Sequence, residues 1–86
     1  MVNSDDLQST VEEIQETMTA AEEQLLEAQR QQPGDPEAFT KAQQQLEAAN
    51  LELEKMIHSA DREQRDQLQR LQQRVQQLQN RMILGM

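Results

Sequence analysis

Early in the chain, apolar side chains fall at Leu7, Val11, Ile14, Met18, Ala21, Leu25 and Ala28, spaced 4, 3, 4, 3, 4 and 3. That alternation averages about 3.5 residues, the period of the buried stripe on a coiled-coil helix. Glu, Gln and Thr fill most of the positions between. Asn3 or Ser4 is placed to cap the first turn, and Asp5 and Asp6 put carboxylates at the positive end of the helix dipole. The pattern predicts a helix over 4–32.

Punctuation follows in Gln32-Pro33-Gly34-Asp35-Pro36, which predicts a loop over 33–35. Asp35 is an N-cap residue by type, Pro36 suits the first helical position, and Glu37 suits the first turn. From there a second stripe runs through Phe39, Ala42, Leu46, Ala49, Leu53, Met56 and Ala60, which predicts a helix over 36–58. Glu37 and Lys41 have the spacing of an exposed i,i+4 ion pair. A loop this short makes the two helices antiparallel neighbours.

The third stripe is Leu68, Leu71, Val75, Leu78 and Met82, in a helix expected over 61–83. It does not continue the second. In that register positions 63, 67, 70 and 74 would be apolar, and they are Glu63, Gln67, Arg70 and Arg74. Ser59 or Asp61 is placed to cap a new helix, and Asp61 and Gln64 have the spacing of a capping box. Two all-α architectures fit. In one, the chain turns near His58–Asp61 and the antiparallel coiled-coil hairpin gains a third helix, making a three-helix bundle with helices about 43, 35 and 35 Å long at 1.5 Å per residue. In the other, 36–84 is one long second helix whose exposed seam must dimerise to be buried. The matched lengths favour the bundle, but no Gly or Pro enforces the turn.

Composition narrows the chemistry. Phe39 is the only aromatic residue in the chain, so a thick globular core is not expected. Without cysteine there are no disulfides, thiolate metal ligands or thiol nucleophiles. No apolar run approaches the length of a membrane span, and the acidic, polar MVNSDDLQST is the opposite of a signal peptide. The cytoplasm is the expected location, with no membrane association. His58 is the only histidine, so it reads as a surface or turn residue rather than a ligand. The pairs Asp5/Asp6, Glu12/Glu13 and Glu22/Glu23 read as a solvated face, because general acid–base work needs carboxylates held in a cleft. No Gly-rich phosphate loop is present. The expectation is a non-enzymatic protein with no cofactor, no metal and no small-molecule substrate.

The net charge of −8 is unevenly spread. Residues 1–57 hold 13 acidic residues against 3 basic, whereas 58–86 hold 3 acidic against 5 arginines. Arg70, Arg74, Gln77 and Arg81 line one edge of the third segment. That edge is expected to face acidic residues of the other helices or of a protein partner. Nucleic-acid binding is disfavoured, since phosphates would be repelled by the acidic bulk and no aromatic platform is present for stacking. The 17 glutamines occupy outward positions between regular leucines and read as a coiled-coil surface, not a prion-like tract. Of five methionines, Met18, Met56 and Met82 sit in the stripes as core fillers. The last residues, through Ile83 and Leu84, are more apolar than the stripe requires. The candidate contact set for a protein partner or for self-association is therefore Leu68, Leu71, Val75, Leu78, Met82, Ile83 and Leu84.

From about Ala42 to Gly85 the chain resembles the YtzC-like family of small uncharacterised proteins from Bacillus-type bacteria. The resemblance is carried by Gln64-Arg65-Asp66-Gln67-Leu68 and Leu78-Gln79-Asn80-Arg81-Met82-Ile83-Leu84. It implies a bacterial cytosolic helical protein and assigns no functional residues. The hairpin, with Pro33, Asp35 and Pro36 at its loop, is also similar to needle subunits and small hairpin chaperones of type III secretion. That similarity implies a groove holding a partner helix. The third segment departs from the needle pattern. The leading reading is a structural or protein–protein interaction module.

Overall fold

The computed structural model describes residues 3–30 and 35–84, and over these it is a three-helix bundle: α1 Ser4–Arg30, α2 Pro36–Ser59 and α3 Arg62–Leu84. The expected loop residues Pro33 and Gly34 lie outside the described residues, as do positions 31 and 32 of the predicted first helix. The second and third helices differ from expectation by a residue at one or both ends.

Local chemistry sets the helix starts. The Asn3 side chain caps α1, its Oδ1 accepting the Asp5 N–H at 2.8 Å. Asp35 caps α2, its Oδ1 accepting from the Glu37 N–H at 3.0 Å and the Ala38 N–H at 3.3 Å, with Pro36 opening the helix. The Glu37–Lys41 pair does not close. Among the described residues the single ion pair is Arg70–Asp66 at 3.0 Å, an exposed i,i+4 contact within α3.

The turn between α2 and α3 selects the bundle over the long helix. Ala60 ends α2 in an extended conformation, φ −81° and ψ 151°, which any residue adopts without strain. Asp61 and Gln64 then form the capping box in both directions: Asp61 Oδ1 accepts from the Gln64 N–H at 2.9 Å, and Gln64 Oε1 accepts from the Asp61 N–H at 3.2 Å. Arg65 adds a bond from Nη2 to the Ala60 carbonyl at 3.3 Å. An extended Ala60 and a reciprocal cap thus reverse the chain, and the one-residue slip in the apolar stripe is the trace of that reversal.

One core cluster joins the helices. It takes Leu7, Ile14, Met18, Ala21 and Leu25 from α1, and Phe39, Ala42, Leu46, Ala49 and Leu53 from α2, with Ala60 at the turn. From α3 it takes Leu68, Leu71, Val75, Leu78 and Met82. Val11, Ala28 and Met56 are half-buried against it, as is Ile57, which the stripe did not include. The molecule is a rod with extents of 45 × 20 × 15 Å.

Candidate interaction surface

Burial on either side of each stripe shows which helix pairs are closed. On α3, Gln72 and Gln79 lie beside the stripe on one flank and are half-buried. That flank meets α2: Gln76 Nε2 donates to Asn50 Oδ1 at 3.3 Å, and Gln79 Nε2 donates to Glu47 Oε2 at 3.0 Å. Three residues forward on α3 correspond to three residues back on α2, as antiparallel helices require. On α2, Gln43, Asn50 and Ile57 are half-buried on the matching flank. On α1, the half-buried flank is Thr10, Thr17 and Gln24.

The remaining flanks behave differently. Gln8, Gln15, Glu22 and Gln29 on α1 are all exposed, and so are Gln67, Arg74 and Arg81 on α3. Gln8, Gln15 and Gln67 border a shallow groove between these two parallel helices, with half-buried Val11 in it. α1 and α3 pack less extensively on one another than either does on α2. The α1–α3 side is the open seam of the bundle.

Charge is divided across that open seam. The exposed acids Asp5, Glu12 and Glu22 lie on the α1 side, and Arg70, Arg74 and Arg81 lie on the α3 side. The expected pairing of the arginine edge with acids of neighbouring helices in the same chain is not formed. Arg70 pairs within its own helix, and Arg74 and Arg81 make no ion pair among the described residues. The physical reason is the open geometry: glutamines, not arginines, occupy the flank that closes on α2.

The candidate contact set divides in two. Leu68, Leu71, Val75, Leu78 and Met82 are 5% exposed or less and are consumed by the core of their own chain, so they offer no external surface. Ile83 at 65% and Leu84 at 84% remain exposed, and Leu26 at 53% shares their end of the bundle. Leu51, at 49%, stands apart on the outward face of α2. The apolar spacing alone did not distinguish seam residues that bury internally from those that do not. Gln64 is a buried polar residue in the seam register of α3, 8% exposed, and a search for apolar residues passes over it.

Among the described residues no three His, Asp or Glu side chains converge as a metal site would require, and no helix is long and apolar enough to cross a membrane. The groove between α1 and α2, where a hairpin chaperone would hold a partner helix, is filled by α3.

Comparison with known proteins extends the resemblance beyond the second half of the chain. The uncharacterized protein YtzC of Bacillus subtilis (strain 168) is 42% identical over 80 residues, covering 90% of this chain and 89% of that protein. No solved structure matches significantly. The family described as "Protein of unknown function (DUF2524)" matches residues 1–84, turn and capping box included, and the chain belongs to that family.

Proposed function

We propose that this protein is a non-enzymatic, cytoplasmic interaction module, a short rigid helical rod whose surface engages another protein chain. The observation that carries the reading is the placement of Leu26, Ile83 and Leu84. All three are at least half exposed at one end of a bundle whose surface is otherwise overwhelmingly Glu, Gln and Arg. Singly exposed apolar residues are ordinary, whereas several at one end mark a contact site. Their core neighbours Leu25, Phe39 and Met82 already fill the interior at that end. Among the described residues, exposure there has no packing role.

The test is affinity capture from a bacterial extract with the wild-type chain and with Leu84→Asp. At least one protein, this chain itself included, is expected to be retained by the first and lost by the second. Identical retained sets would overturn the assignment of this end as a docking site. Leu84 is 84% exposed, so the substitution leaves the fold intact, and matching helical circular dichroism checks that.

A further inference from the structure

We infer that the open α1–α3 face docks a second copy of this chain, with the two-fold axis running parallel to the bundle. The inference deepens the interaction-module reading and rests on it.

Charge complementarity selects both the occupant and the symmetry. The face carries an acidic strip on α1, with Glu12 and Glu22, beside a basic strip on α3, with Arg70, Arg74 and Arg81. A surface that holds both signs side by side is complementary to itself. A two-fold axis along the bundle lays α1 of one copy over α3 of the other, and reciprocally. Acid then meets arginine on both sides. A two-fold axis across the bundle would instead lay α1 over α1 and α3 over α3, setting like charges against each other.

Topology adds a second match. Because α1 and α3 run in the same direction, Glu12 and Arg70 lie toward one end of the face, and Glu22 and Arg81 toward the other. The lengthwise axis keeps equal ends together. Glu22 of one copy comes over Arg81 of the second, and Leu26 of one copy comes beside Leu84 of the second. The two exposed leucines on the α1 and α3 sides are thereby covered by each other. Half-buried Val11 in the groove is covered as well. The two longer extents of the rod, 45 and 20 Å, bound a face of the right scale. Standard interfaces bury roughly 800 Å² on each partner.

The face is mostly polar, so the dimer is salt-sensitive. Sedimentation equilibrium of the full chain in low salt is expected to show a mass approaching twice 10.0 kDa. The dissociation constant should rise roughly tenfold or more at high salt, where charges are screened beyond a few ångströms. The triple variant Arg70→Glu, Arg74→Glu, Arg81→Glu should be monomeric, and so should the double variant Glu12→Arg, Glu22→Arg. An equimolar mixture of the two should recover the dimer mass, because both strips are complementary again. All five positions are exposed, and circular dichroism checks that the helices are retained. Since the chain has no native cysteine, a mixture of Leu26→Cys and Leu84→Cys chains reports the alignment: oxidation should link one to the other.

A monomer at every soluble concentration overturns the inference. A dimer indifferent to salt and to both charge reversals also overturns it, as does a mixture that fails to re-form. A monomer that instead binds a fluorescent single-stranded oligonucleotide through the three arginines overturns it in favour of nucleic acid. If the chain is monomeric but Leu84→Asp still loses a different captured protein, self-docking fails and the interaction-module reading stands. If that capture is also unchanged, both fail.

Discussion

Toward α2, α3 presents Gln72, Gln76 and Gln79; toward α1, it presents Gln67, Arg74 and Arg81. Both flanks border the same buried stripe, in the same helix, among equally polar sequence. On the first, the amide heads reach Asn50 and Glu47 and the stems nearest the stripe are half-buried. On the second, every side chain is exposed and none is paired with a side chain of α1 among the described residues. Polar residues thus do two kinds of work here. Glutamine, uncharged and able to donate and accept, closes a seam at little desolvation cost. Arginine keeps its charge hydrated at the rim of a seam left open, where it can meet a carboxylate on another molecule.

The stripe between the flanks gives the largest expected effect. Leu71 is 5% exposed, and Leu71→Ala should cost about 2–4 kcal/mol in urea denaturation. A loss below about half a kcal/mol would mean that α3 is not part of the core, and the contrast between its flanks would lose its meaning.

The turn is expected to matter next. Asp61→Ala removes the acceptor for the Gln64 N–H and should cost about 1 kcal/mol. If the variant instead gains stability and sediments as a longer rod, the cap is what keeps α2 and α3 from fusing into one helix.

The closed flank should be weaker still. Gln79→Ala deletes the bond from half-buried Gln79 to exposed Glu47, for an expected loss of about half a kcal/mol. An effect above about 1.5 kcal/mol would show that this flank is a stronger clasp than its exposure implies.

How much of this was legible in the sequence follows the physics of each feature. The stripes are legible because a helix must bury one face, and the spacing of Leu46, Leu53 or Leu71 records that directly. The start of α2 is legible because Asp35 is an N-cap residue by type and Pro36 suits the first helical position. The second turn is carried by Ala60 in an extended conformation, which leaves no mark in residue type. Only the Asp61–Gln64 spacing and the phase slip betrayed it, and neither excluded a continuous helix. Gln64 was missed as a seam residue because its burial depends on the turn it helps to make. The open face was not legible. Charge content says that acids and arginines coexist in the chain, but which flanks close is decided by how three helices meet in space.

The smallest expected effect on stability is the most informative about that face. Arg74→Ala should leave the unfolding free energy of the monomer unchanged within experimental error, well inside the range of about half a kcal/mol typical of surface substitutions. Arg74 is exposed, lies beside the stripe on the open flank, and makes no ion pair among the described residues, so the monomer has little to lose. Gln79→Ala, at the corresponding place on the other flank, should show the opposite profile: a measurable loss of stability and unchanged self-association. The pair therefore separates folding from docking within one helix. If Arg74→Ala destabilises the monomer in dilute solution as much as Gln79→Ala does, the α1–α3 seam is closed in solution, its arginines are committed internally, and no free basic strip remains to receive the acids of a second chain.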